Sequence, residues 1–409
     1  MKILFLSQII PYPPHGGVLQ RGYNIIREIG KENDVYLLAF HHPDTIASQS
    51  LLDESMVELK KICTEVHYFK LWPKQSKIHK ISAFFLGFFY PLPFSVLAHK
   101  SSGFRDKMLD IIENNNIDIV HIDTVGLSKY RELVQDIPCI VTHHNIESSL
   151  MARRSKVESN WFTRYYVAKQ SEKLRKYEAQ ESTKYPVNVM MSNTDAKELI
   201  EMSPGAKTAI VPNGVDINYF EDRKEPEEQA IIYTGGMNMF ANKDAVMYLI
   251  SDIWPLVKVK IPDIKFYIIG QDPPKELTNI ASDDNAIKVL GYVDDIRPFV
   301  AKSAIYVVPL RVGGGTRLKV LDALAQGKAI VSTSIGSEGI EVTDRTNIYL
   351  EDTSEGFASS IIELINDDAK RKELGRQARK LTEEKYAWPS IAEGLIDVYK
   401  NIIQEALNN

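Results

Sequence analysis

Hydrophobic positions along the chain fall into two recurring patterns. Short, nearly continuous runs rich in Val, Ile, Leu, Tyr and Phe read as buried strands: KILFLSQI, DVYLLAF, EVHYFKL, IDIVHID, PCIVTHH and VNVMMSN in the first half. Between them, GYNIIREIGK, the run from Phe104 to Asn114 and the long basic segment from Ala152 to Tyr185 carry helical periodicity. The alternation pauses over residues 202–229, which are rich in Pro, Gly, Asn and charge. A domain boundary is expected there, near Ser203 to Ala206. A second alternating set follows: AIIYTGG, IKFYIIG, AIKVLGYV, AIYVVPL, AIVSTS and NIYLED. The end, YAWPSIAEGLIDVYKNIIQEAL, reads as an amphipathic helix interrupted near Pro389.

Strand–helix alternation predicts parallel sheets covered on both faces. The expected fold class is therefore α/β: two doubly wound, Rossmann-like domains facing a central cleft. The expected boundaries are 1–204, 205–386, and 387–409 for a C-terminal helix that packs back on the first domain. Ligands in such sheets bind outside the carboxyl ends of the strands.

Composition narrows the classes. The chain has 409 residues, 44% of them hydrophobic and 25% charged, which suits a soluble two-domain protein. A net charge of −5 argues against nucleic acid as a partner. Cys63 and Cys139 lie far apart in apolar surroundings and read as buried thiols, not as a disulfide or zinc framework. MKILFLSQII reads as a first strand and not a signal peptide. The most apolar window, ISAFFLGFFYPLPFSVLA, is broken by Pro91 and Pro93 before it reaches the ~20 residues of a spanning helix. The expected location is cytoplasmic.

The densest chemistry lies in PLRVGGGTRLKVLDALAQGKAIVSTSIGSEGIEV. The run AIYVVPL is a strand, and Gly313 to Gly315 form a turn that can bring bare backbone close to a ligand. A helix is expected to start near Thr316, capped by its hydroxyl. Helix N-terminal amides attract anions, and Arg317 and Lys319 add formal charge. A carboxylate at Asp322 can accept hydrogen bonds from two neighbouring hydroxyls, as on a ribose. Phosphate plus diol points to a nucleotide. The spacing is neither that of a P-loop nor that of a dinucleotide fingerprint, and most glycine turns are only tight connections.

Two further features stand at expected strand ends. Gly16 and Gly17 occupy the loop after the first strand, where they either contact a phosphate or make a plain turn. His143 and His144 end the run IVTHH. Vicinal residues on a strand point in opposite directions, so only one can face a cleft and the pair does not suit a metal. The facing histidine would bond a reacting hydroxyl; the other reading is a satisfied histidine at the end of a sheet.

These pieces, in this order, resemble the family-4 glycosyltransferases, whose fold is called GT-B. The resemblance covers almost the whole chain: HGG, VTHHN, SNTDAKELI, VPNGVDINYF, YTGGMNMFANKDAVMYLISDIWPLV, FYIIG, VLGYVDDIRPFVAKSAIYVVPL and the glycine motif. It implies transfer of a sugar from a nucleoside diphosphate sugar, with retention and without a metal ion or other cofactor. It places Gly16 and Gly17 beside the donor diphosphate and His144 near the transferred sugar and acceptor. It puts Gly235, Gly314, Gly315 and Thr316 among the donor contacts, and Asp322 on the ribose. Gly314 stands where the family has a glutamate, marking a subgroup with a GGGTRLK motif. Gly236 and Asn242, with Lys243 adjacent, stand where it has an arginine and a lysine. Arg317 and Lys319 are therefore expected to take over the diphosphate charge, as catalytic residues with His144.

The partners expected are a nucleotide-sugar donor and a saccharide or lipid-linked saccharide acceptor. From Lys70 to Lys107 there are seven Lys/Arg and one acid, interleaved with Trp72, Phe84, Phe85, Phe88, Phe89, Tyr90 and Phe94. That mixture, continued by Arg153, Arg154, Trp161, Arg164, Tyr165 and Tyr166, suits peripheral contact with an anionic membrane. The competing reading is aromatic core beneath a solvated basic face. Two other functions share the nucleotide site: a sugar-nucleotide epimerase or hydrolase of the same fold, and a non-catalytic nucleotide-sugar-binding protein.

Overall fold

In a computed structural model, residues 1–409 are described except His15, Gly16, Gln75, Ser76, Gln135, Ser159, 222–225, 313–315 and Asn409. The side chains of Lys77, Lys80, Ile81, Ala83, Phe84 and Val157 also lie outside the description. Contacts divide the chain into two units, Met1–Pro212 with Ile391–Asn409, and Asn213–Ser390.

The first unit holds a seven-stranded sheet: β1 Lys2–Ser7, β2 Asp34–His41, β3 Glu65–Lys70, β4 Ile119–Ile122, β5 Cys139–His143, β6 Asn188–Met190 and β7 Thr208–Ile210. Its order is β3-β2-β1-β4-β5-β6-β7, with every pairing parallel. The central strands are buried on both faces, as their unbroken apolar runs require. The register sets Leu6 beside Ile122 and Ile122 beside Val141, so Ser7 and Asp123 are level with Thr142 at the carboxyl edge, and His144 follows two residues on.

The second unit holds β8 Glu228–Thr234, β9 Lys265–Ile269, β10 Ile287–Gly291, β11 Ser303–Val308, β12 Ala329–Ser332 and β13 Tyr349–Leu350. Their order is β10-β9-β8-β11-β12-β13, again all parallel. β8 and β11 are neighbours, so the loops that follow them share one edge. One continuous core of aliphatic and aromatic side chains underlies this sheet.

The expected strands are all present, and the structure adds β7. It pairs with β6, so the first unit runs on through Pro212, past the expected boundary at 204/205. The long helix expected from Ala152 to Tyr185 is two helices, Glu147–Val157 and Trp161–Ser182. The second has its own cap, because Asn160 Oδ1 accepts from the backbone N–H groups of Phe162 and Thr163. Pro389 does not interrupt the last helix. It is the second residue of the helix Trp388–Asn408, where a missing N–H costs nothing. Within that helix the assignment passes from the second unit to the first at Ser390–Ile391. Leu395 and Tyr399 are fully buried, and the Tyr399 hydroxyl bonds His121 Nδ1.

Candidate active site

In the second unit the glycine motif leads into the helix Leu318–Ala325. The expected Thr316 cap is not made. Arg317 occupies the capping position without a side-chain cap, and the buried Thr316 Oγ1 finds no hydrogen-bond partner among the described residues. Lys319 turns from the first turn of this helix towards the end of β8. Its Nζ donates to Asn242 Oδ1 at 2.9 Å and to the Tyr233 hydroxyl at 3.1 Å, and lies 4.4 Å from the Tyr233 ring centre. The Tyr233 hydroxyl donates to the same Asn242 oxygen at 2.8 Å, while Asn242 Nδ2 is spent on the Gly236 carbonyl. Gly235 leaves room for this arrangement. A Cβ there would stand 2.6 Å from Lys319 Nζ and 2.9 Å from Asn242 Cγ.

The electrostatics are unusual for a lysine. Among the described residues Lys319 is bonded only to neutral oxygens. Burial, followed by the nearby charge of Arg317, pushes its pKa down to about 7. Asp322, one helical turn on, makes no ion pair with Lys319 among the described residues. It keeps some accessible surface but is densely surrounded, and this burial pushes its carboxyl up to about 8. Asp322 raises the pKa of Tyr306, although burial is the larger cause; the Tyr306 hydroxyl bonds Thr234 Oγ1, next to Gly235. Gly235, Thr316, Arg317, Lys319 and Asp322 are thus gathered around the carboxyl ends of β8 and β11. Gly314 and Gly315 lie outside the described residues.

In the first unit the histidine pair separates as strand geometry requires. His143 is buried against β6, its Nε2 3.1 Å from Asn188 Oδ1, and burial pushes its pKa down to about 4. His144 lies one residue beyond β5, and its Nε2–H donates to Asp123 Oδ1 at 3.1 Å. Asp123 is itself buried beyond the end of β4, with Ser7 Oγ 3.4 Å from its other oxygen. Glu147 closes the group. Burial raises its pKa, and Thr124 Oγ1 donates to it at 2.7 Å. Gly17 opens the helix Gly17–Ile29 and is exposed, while Gly16 lies outside the described residues.

Two family models match the chain: "Glycosyltransferase Family 4" over residues 15–219, half of its length, and "Glycosyl transferases group 1" over residues 228–367. The chain belongs to glycosyltransferase family 4. A Klebsiella pneumoniae protein described as an uncharacterized 44.6 kDa protein in the cps region is 28% identical to this glycosyltransferase over 163 residues, 38% of this chain and 42% of that protein. A Corynebacterium glutamicum protein, named a GDP-mannose-dependent monoacylated alpha-(1-6)-phosphatidylinositol monomannoside mannosyltransferase, is 25% identical over 158 residues, 36% of this chain and 42% of its own length. Both matches therefore span less than half of the relative. Among solved structures, Anabaena HepE in complex with UDP superposes with a TM-score of 0.69 at 14% identity, covering 98% of this chain and 100% of that one. This likeness fixes the fold of the glycosyltransferase as GT-B.

Asp123 and Tyr233 are members of these groups that the sequence motifs did not mark. Asp123 carried one usable signal, an acid directly after the run IDIVHI, equivalent in position to the histidines after PCIVT. Tyr233 carried none, because a tyrosine inside an apolar strand reads as core.

Proposed function

We propose that this glycosyltransferase moves a sugar from a nucleoside diphosphate sugar to a hydroxyl of a lipid-linked saccharide, with retention at the anomeric carbon. The observation that carries the reading is Lys319: an ammonium among neutral oxygens, close to Arg317, at the carboxyl edge of the sheet and the start of a helix. Such a group gains from an anion with which it shares charge. On this reading Lys319 and Arg317 bind the donor diphosphate, and Asp322 accepts from the ribose hydroxyls. Gly235 lets the backbone approach. Breaking the sugar–phosphate bond develops negative charge on the leaving oxygen, which the two cations stabilise as it forms. The acceptor hydroxyl attacks on the face the diphosphate leaves and passes its proton to the departing phosphate. The UDP bound by HepE and the phosphatidylinositol mannoside in the Corynebacterium relative's name support this donor and acceptor class.

The test is nucleoside diphosphate release in the presence and absence of candidate acceptors. Transfer requires acceptor-dependent release; release without acceptor would indicate an epimerase or hydrolase, and binding without turnover a scaffold. Arg317→Ala is expected to lower turnover by ~100-fold or more, and near-normal turnover in that variant would remove Arg317 from the mechanism.

Asp123 acts through His144. By accepting from Nε2–H it fixes the ring plane and tautomer, leaving Nδ1 as the free nitrogen. Asp123→Asn keeps the shape but can present an amide N–H to the same nitrogen and reverse the tautomer. It should lower kcat by about tenfold or more with little change in donor KM, and alter the acidic limb of the pH–rate profile. An unchanged profile with a merely lowered melting temperature would make Asp123 structural only.

A further inference from the structure

One side of the first unit is apolar and open. The helix Lys77–Phe89 exposes Ile78, Phe85, Leu86 and Phe89, which with Ser82 line a shallow trough. Their spacing puts them on one helical face, roughly 16 Å long at 1.5 Å per residue. Phe89 is 82% exposed and Ile78 79%, too much for residues that belong to this unit's own core. At Leu86 the trough meets a cavity of about 410 Å³ lined by Trp72, Leu86, Tyr90, Leu92, Val96 and Leu97. That volume is within the range of small-molecule sites, roughly 300–1,000 Å³.

The far end of the cavity is polar and cationic. Lys100, Ser102 and Lys129 complete its wall, and they also line a smaller adjoining pocket of about 220 Å³ that includes Glu132 and Arg105, the latter paired with Asp106. Among the described residues neither Lys100 nor Lys129 makes an ion pair, and no acid lines the larger cavity. The corner between trough and cavity is firmly built. Lys173 Nζ donates to the carbonyls of Gly87, Phe88 and Tyr90, and a Cβ at Gly87 would meet the Tyr166 hydroxyl at 2.5 Å. Lys129 stands on the short helix Val125–Leu133, which begins directly after Asp123 and Thr124.

A hydrocarbon trough, a half-enclosed apolar cavity and two lysines without an ion pair among the described residues adjoin one another. We propose that this path binds one molecule of a lipid phosphate, its tail along Lys77–Phe89 and its phosphate between Lys100 and Lys129. The apolar face supplies burial for the chain, and the lysines complement the head group. The site deepens the reading of a lipid-linked acceptor on which it rests, since Lys129 stands on the helix that directly follows Asp123 and Thr124. Its existence does not depend on turnover.

The probe is dodecyl phosphate below its micelle concentration, added to the full chain. Dodecyl maltoside and inorganic phosphate serve as controls. Tryptophan fluorescence reports occupancy, with Trp72→Phe as the variant that should lose the response because Trp72 lines the cavity. Dodecyl phosphate should shift it saturably, and neither control should match it. Lys100→Ala/Lys129→Ala should weaken binding about tenfold or more without changing the melting temperature. Phe89→Ser, at an exposed position, should weaken it independently. Equal binding of dodecyl maltoside, or an unchanged affinity in the double variant, would overturn the site. Binding to phosphatidylcholine–phosphatidylglycerol vesicles without binding to the monomeric phosphate would overturn it too, in favour of a bilayer-facing patch. Thermal shift with UDP and GDP on the same sample separates the two claims: loss of nucleotide binding with retained dodecyl phosphate binding defeats the donor reading alone.

Discussion

Lys319→Met should lower turnover by ~100-fold or more while leaving the protein at least as stable near neutral pH. Both halves follow from the same burial. An ammonium that gives up water for one amide oxygen and one hydroxyl sits in an unfavourable place until an anion arrives. Its pKa of about 7 makes a proton part of the binding reaction. Diphosphate binding favours the charged lysine, so above pH 7 binding should take up a proton and affinity should fall as pH rises. Calorimetry with UDP or GDP in buffers of different ionisation enthalpy measures that uptake directly. The sign for stability is opposite. The unfolded lysine keeps its proton to about 10.5 and the folded one only to about 7, so this group makes the empty protein more stable as pH rises through that window. A Lys319→Met variant with wild-type proton uptake would show that another group binds the phosphate.

Asp322→Asn should trade function for stability. The carboxyl is pushed up to about 8 by burial. A folded pKa above the unfolded one gives stability that is complete below about pH 4 and is lost as pH rises through 8. The asparagine, which never ionises, should melt close to the parent at pH 4 and clearly above it at pH 8.5. Nucleotide affinity should fall by about tenfold or more, the scale of losing a hydrogen bond to a charged acceptor, with nucleoside binding affected as strongly as nucleoside diphosphate binding. A melting curve that shifts equally at both pH values would mean that Asp322 is already paired in solution. Loss confined to the diphosphate would move Asp322 off the ribose.

What was legible in the sequence was what repeats or is long. The central strands announce themselves because burial on both faces forces unbroken apolar runs. β7 did not, because three residues at a sheet edge, none of them buried, leave no periodic signal. The break at Asn160 was hidden because the helices on both sides are basic, with Arg153, Arg154 and Lys156 before it and Arg164 and Lys169 after it. For the candidate site, residue types were legible and juxtapositions were not. His144 and Asp123 meet only because β4 and β5 are neighbours in register. Lys319 reaches Asn242, where the family resemblance leads one to look for a lysine in the chain itself. The cation comes to that place from a different helix, and a linear motif cannot record that.

The division of the chain has a consequence for how the protein is made. The second unit is one uninterrupted segment, whereas the first needs Ile391–Asn409 to be whole. The ribosome therefore begins the first unit, releases all of the second, and only then delivers Leu395 and Tyr399, two fully buried side chains of the first. Through that interval the nascent first unit carries an uncovered apolar seam and a His121 Nδ1 that lacks its Tyr399 partner, and the second unit is free to fold ahead of it. Synthesis order and completion order are inverted, so loss of Ile391–Asn409 strikes the core of the unit whose synthesis started first.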